Sequence, residues 1–123
     1  MNIQQLYEYC LSKKGVTEHF PFNEDTLVFK VGGKMFCLTS LAKWEEGNPS
    51  VNLKCTPKLA IELREKYEAI LPGYHMNKKH WNTVLLNNEI PNKKVIHFIN
   101  HSYELVFASL PKKIRQEIEN SEN

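Results

Sequence analysis

Apolar residues along the chain repeat with two periods, three to four in some segments and two in others, and the switches between them outline the secondary structure. In the opening segment Ile3, Leu6, Tyr7, Cys10 and Leu11 fall on one helix face, and Lys13, Lys14 and Gly15 close the run as a C-terminal cap does. The period then drops to two. Thr26–Val31 and Lys34–Ser40 are β-rich runs on either side of Gly32-Gly33, the pair best able to take the positive φ angles of a tight turn, so they are expected to pair antiparallel. After the turn-forming loop KWEEGNPS, the segment SVNLKC alternates Val51, Leu53 and Cys55 with Asn52 and Lys54, the pattern of a half-buried strand.

Thr56-Pro57 reads as an N-cap followed by proline at the first helical position, and Leu59, Leu63, Tyr67 and Ile70 form one stripe that Pro72-Gly73 ends. Residues 74–84 read as a hairpin of two short strands. Val95, Ile96, Ile99, Tyr103, Val106, Phe107 and Leu110 then restore the 3.6-residue period over a long helix, which Pro111 breaks. KKIRQEIENSEN follows as a short charged helix fading into a tail. The order α-β3-α-β2-α describes an α+β protein in which helices lie on one face of an antiparallel sheet. It is expected to form a single domain over residues 1–118, with a short polar tail at 119–123.

Composition narrows the class further. A chain of 123 residues suits one domain with a proper core and is too short for two. Its 41% hydrophobic and 24% charged residues are ordinary globular values, and no apolar run approaches the roughly 20 residues of a membrane helix. The N-terminal residues lack the basic lead, apolar block and small-residue cleavage site of a signal peptide, so a cytosolic protein with no membrane partner is expected. Cys10, Cys37 and Cys55 are odd in number, far apart and outside any CxxC spacing, which points to buried free thiols. With sixteen basic and fourteen acidic residues the net charge is +2, so any attraction to nucleic acid has to come from a local patch.

The densest polar chemistry lies in PGYHMNKKHWNTV, Pro72 to Val84. A two-residue turn at Asn77-Lys78 would pair Tyr74 with Trp81 and His75 with His80. A four-residue turn over Asn77–His80 would pair Met76 with Trp81 and His75 with Asn82. Only the first brings the histidines together, and even then they supply half of a tetrahedral zinc shell. His97 and His101 form a second pair on the long helix, but Phe98 stands where HExxH needs its glutamate, so the pair reads as a solvated face. No serine sits in a G-x-S-x-G turn and no glycine loop opens a helix, so neither a nucleophile nor a phosphate cradle is indicated. Lys78 and Lys79, with Lys93, Lys94, Lys112, Lys113 and Arg115 elsewhere, are possible phosphate contacts, while His75, Asn77, His80 and Asn82 are donors suited to phosphates or base edges. The same residues also read as an ordinary solubilising surface around a well-satisfied turn.

PGYHMNKKHWNTV resembles the hallmark of the MmcQ/YjbR family of small bacterial proteins. FPFNEDTLVFKVGGKMFCL, NLKC and SYELVFASLPKKIR extend the resemblance over nearly the whole chain in the same order. The resemblance implies an α-β3-α-β2-α fold, frataxin-like or secretion-chaperone-like, and a DNA-binding role with a double-winged arrangement. It places the family pattern on His75, Met76, Asn77, Lys78, His80, Trp81 and Asn82, with Lys34, Phe36 and Lys54 on the strands. Two departures are Thr56, where the family often has Asp, and Cys37, where a small residue is usual.

The expectation is therefore a non-enzymatic DNA-binding module without catalytic residues, metal or cofactor. Its binding residues are His75, Asn77, Lys78, Lys79, His80, Trp81 and Asn82, with Lys34 and Lys54. The alternatives are a domain that binds a small molecule, an anion or a protein partner, and a purely structural role for the hallmark. The Trp81 ring separates them, since a buried ring favours structure and an exposed one beside positive charge favours DNA. No heptad or exposed apolar stripe calls for a dimer, so monomer and dimer both stay open.

Overall fold

The first helix forms where Asn2 can close it. The Asn2 side chain accepts from the Gln5 amide at 2.8 Å and the Gln5 side chain accepts from the Asn2 amide at 2.9 Å, a reciprocal cap on two otherwise orphaned donors. From there the structure, a computed structural model, describes residues 1–121. α1 (Ile3–Leu11) is followed by β1 (Val16–His19), β2 (Thr26–Val31), β3 (Lys34–Ser40), α2 (Leu41–Glu45), β4 (Ser50–Lys54) and α3 (Pro57–Lys66). β5 (Ile70–Pro72), β6 (Trp81–Leu85), α4 (Asn92–Ala108) and α5 (Lys112–Glu119) complete it. The strands make one six-stranded antiparallel sheet in the order β1-β2-β3-β4-β6-β5.

Helices cover one face of this sheet, and the core lies between. Leu6 and Cys10 of α1, Phe29, Phe36 and Val51 of the strands, and Ile99 and Val106 of α4 are buried together, each large apolar side chain contributing roughly 1.5–3 kcal/mol. A shift in register between Phe29 and Lys30 turns both Phe36 and Cys37 toward the helices. Polar groups also cross between sheet and helices: the buried Ser102 hydroxyl donates to the Phe36 carbonyl at 2.6 Å and accepts from the Lys54 amide at 2.8 Å, bolting α4 to β3 and β4. The three cysteines are buried free thiols.

The fold class and the Gly32-Gly33 hairpin follow the sequence expectation, with φ +57° and +80° at the two glycines. Four details differ. β1 is an additional edge strand, and α2 an additional short helix capped by the Ser40 hydroxyl. α3 stops at Lys66, so Ile70 pairs with Val84 in β5 instead of extending the helical stripe. Neither register expected for a hairpin over 74–84 forms: Pro72 pairs with Asn82 and Leu71 with Thr83, leaving 73–80 as a loop. Of the expected polar tail, Glu119 ends α5 and Ser121 bonds back to the Ile118 carbonyl at 2.7 Å, while residues 122–123 lie outside the described residues. Among the described residues no helix is long and apolar enough to cross a membrane.

Candidate functional site

Because side chains alternate along a strand, each strand that feeds the core also presents residues to the uncovered face. Register sets Val28 beside Leu38, Leu38 beside Asn52, Asn52 beside Thr83 and Thr83 beside Leu71, a row running across the sheet. Next to it, Thr26 faces Ser40 and Ser50 faces Leu85; on the other side Lys30 faces Met35 and Lys54 faces Trp81.

The 73–80 loop folds over this face and is held in shape by its own polar side chains. Buried Gly73 donates its amide to the Trp81 carbonyl at 2.9 Å, and a Cβ added there would lie 2.8 Å from Trp81 Cβ, so only glycine allows this approach. The Asn77 carbonyl accepts from the His80 and Trp81 amides at 3.2 and 3.0 Å, and its side chain accepts from the Lys79 amide at 2.9 Å. Lys78 Nζ donates back to the Gly73 carbonyl at 3.0 Å. Arg64 reaches across from α3, donating through Nε to Asn82 Oδ1 at 2.7 Å and through Nη2 to the carbonyls of Lys78 and Trp81. Asn82 Nδ2 completes the tie by donating to the Ala60 carbonyl at 3.3 Å.

These bonds sort the residues singled out from the sequence. Asn82 is 3% exposed and Trp81 8%, with the Trp81 ring packed among Val28, Leu38, Met35 and Met76; a buried ring is the outcome that favours a structural role for Trp81 over stacking on DNA. Asn77, Lys78 and Lys79 are on the exposed loop, and half-buried His80 accepts the Cys55 amide on its carbonyl at 2.8 Å. Lys54 lies on the open face opposite Trp81, whereas Lys34 stands apart at the β2–β3 turn, its Nζ 3.4 Å from the Ser109 carbonyl and hydroxyl. His75 is exposed with φ +58°, a left-handed backbone rare outside glycine, and its ring lies 4.0 Å from that of Tyr74. The facing of His75 with His80 that a two-residue turn would create does not occur. Nor do His97 and His101 share a solvated face as expected. His101 turns inward against Leu63 and Phe98, its Nε2 buried without a partner among the described residues. No three metal-ligating side chains come together among the described residues.

Between loop and sheet lies a cleft of about 590 Å³. Leu38, Asn52 and Thr83 line its floor, Tyr74, His75 and Met76 one wall, and Phe22, Asp25 and Lys43 the other. Thr83 Oγ accepts the Tyr74 amide at 3.0 Å and gives its single proton to Asn52 Oδ1. Asp25 accepts the Ser40 hydroxyl at 2.6 Å and the Ala42 amide at 2.7 Å; these bonds hold its carboxyl below the ordinary value. Phe22 and Tyr74 stand 61% and 65% exposed at the rim. Sequence reasoning missed Arg64, Asp25, Ser40 and Thr83 as site residues, since an isolated arginine on a helix or a hydroxyl on a strand reads as surface. The available signal was the alternation that put Asn52 opposite to the apolar face.

The YjbR family profile matches residues 11–105 of the chain. The uncharacterised protein YjbR of Escherichia coli (strain K12) is 31% identical over 116 residues, covering 94% of this chain and 96% of the relative. The uncharacterised protein YbdF of Escherichia coli O157:H7 is 39% identical over 99 residues, or 80% of this chain and 79% of the relative. The crystal structure of Deinococcus radiodurans protein DR2400, a DUF419 domain, superposes with a TM-score of 0.89 at 34% identity, covering 99% of this chain and 91% of that one. A profile that begins in the first helix and runs past Ser102, together with relatives matched over most of their length, makes this chain a member of the YjbR family.

Proposed function

We propose that the protein is a cytosolic, non-enzymatic binding module whose ligand sits in the cleft between the open sheet face and the 72–80 segment. The observation that carries this reading is the cleft itself, about 590 Å³ with exposed aromatic rings at its rim. That volume lies within the roughly 300–1,000 Å³ of small-molecule sites. The hallmark side chains support binding over catalysis: Lys78, Asn77 and Asn82, with Arg64, are engaged with carbonyls and amides that shape the wall. Burial also pushes the Cys55 thiol up, away from the thiolate a nucleophile needs. The test is ¹⁵N–¹H NMR of the intact protein with phenol and indole as probes. Shifts confined to Asn52, Thr83, Tyr74 and His75, and lost in Ser50→Trp, which fills the cleft from its floor, are expected. Probes that shift none of these amides would overturn the reading.

A second reading, binding of duplex DNA, is favoured by exposed Lys78 and Lys79 on the loop and by Lys30 and Lys54 on the same face of the sheet. Lys79 is the cleaner residue to change, because Lys78 Nζ also holds the Gly73 carbonyl. In fluorescence-anisotropy titrations Lys79→Ala is expected to weaken binding equally across sequences and flatten the log–log salt dependence by about one unit. Unchanged affinity and slope would remove the loop from a DNA interface.

A further inference from the structure

We infer that the cleft reads the edge of a planar nitrogen heterocycle of the nucleobase class, with Asn52 as the specificity residue; this rests on the cleft being the ligand site. Asn52 sits mid-sheet, between Leu38 and Thr83 in register, on the floor of the cleft. Its orientation is set by proton accounting. The Thr83 hydroxyl has one proton, the Tyr74 amide occupies one of its lone pairs, and the proton goes to Asn52 Oδ1. Asn52 Nδ2 donates to no group among the described residues and is not buried, so the amide offers the cleft two N–H donors and the second lone pair of Oδ1, side by side. An adjacent donor and acceptor is the complement of adenine N7 and N6.

The surroundings select for a flat, uncharged ring. Leu38 on one side and Leu71 beyond Thr83 give the amide apolar flanks on which a ring can lie. Tyr74 and Phe22 stand exposed at the rim, where base–aromatic stacking is available. Charge does not compete: both Asp25 oxygens are already hydrogen bonded, and Lys43 lies near enough to oppose the remaining negative charge. The same chemistry would accept a free nucleoside or an unstacked base of a single strand.

The test is an NMR titration of the full chain with adenosine, guanosine, ribose, phenol and a single-stranded deoxyadenosine oligomer. Wild type, Asn52→Leu and the near-isosteric Asn52→Asp are compared, with dispersed core signals confirming each fold. Adenosine is expected to shift Asn52, Thr83 and Tyr74 while ribose does not. Asn52→Leu is expected to weaken adenosine about ten- to hundredfold. Asn52→Asp, with acceptors only, is expected to move the preference to guanosine, whose Watson–Crick edge presents adjacent donors. Tighter, salt-dependent binding of the oligomer that Lys79→Ala weakens would assign the base to a strand, and equal binding of adenosine and oligomer would assign it to a free nucleoside. Adenosine binding that ignores both Asn52 variants overturns the inference. Phenol shifts without adenosine shifts overturn it and leave the cleft standing, while silence from both removes the cleft reading as well.

Discussion

Asp25 joins the start of β2 to the start of α2 through the Ser40 hydroxyl and the Ala42 amide, both of which favour its charged form. Its carboxyl therefore ionises at lower pH folded than unfolded. The resulting stabilisation is complete above the ordinary value of 3.8 and disappears as the pH falls through the folded-state value. In urea melts Asp25→Asn is expected to be less stable than wild type near neutral pH, with the gap closing as the pH falls below the ordinary carboxyl value and through the lower folded-state one. A gap independent of pH would mean that the charge contributes nothing beyond the hydrogen bonds. Arg64 makes a sharper case, since Arg64→Ala takes the donor from Asn82 Oδ1 and from the Lys78 carbonyl and leaves the Trp81 carbonyl with the Gly73 amide alone. A loss of about 1–3 kcal/mol in urea melts is expected. Arg64→Lys restores the charge without the planar fork and is expected to recover only part of that stability and of probe binding in the cleft. None of this was legible from Arg64 in sequence, where it is one cation among several on a polar helix. Trp81 was equally ambiguous, because the methionines that bury it, Met35 and Met76, come from other elements.

At the scale of elements, legibility followed the strength of the local pattern. The β2–β3 hairpin appears with the strand limits read from its β-rich runs, because Gly32-Gly33 has few other conformational uses between two such runs. β1 escaped because only Val16 of VTEH is buried, which is no alternation at all. α3 looked longer than it is because Tyr67 and Ile70 continue a helical spacing by coincidence; pairing of Ile70 with Val84 outweighs helix propensity there. The loop was unreadable for a related reason, since its wall is shaped by Arg64 and Ala60, remote in sequence. The two hairpin glycines are expected to differ when replaced. Gly32→Ala meets a left-handed backbone and places a Cβ 2.6 Å from Leu110 Cδ1, whereas Gly33→Ala, at φ +80°, meets nothing within 4 Å. The backbone term of about 1–2 kcal/mol falls on both, and the clash with buried Leu110 on Gly32 alone, so urea melts should rank Gly32→Ala as the more destabilised.

For the molecule as a whole, the thiols report how the layers come apart. Cys10 of α1 lies against Cys37 of β3, which together with burial pushes the Cys37 thiol well up, and Cys55 is buried near α3 and α4. A disulfide reagent is therefore expected to leave the native protein unmodified and to titrate all three thiols in denaturant. Modification of Cys10 or Cys37 under native conditions would show that α1 lifts from the sheet independently of the rest. The sheet itself has one face fastened by helices and a second that the core does not require. That division has an evolutionary consequence. In descendants of this fold, positions facing the helices can drift only among apolar residues of similar volume, whereas Ser50, Asn52 and Leu71 can change in kind without disturbing how the chain folds. Diversity among relatives is expected to concentrate there, so that lineages acquire new ligands by rewriting a few letters on an inherited platform.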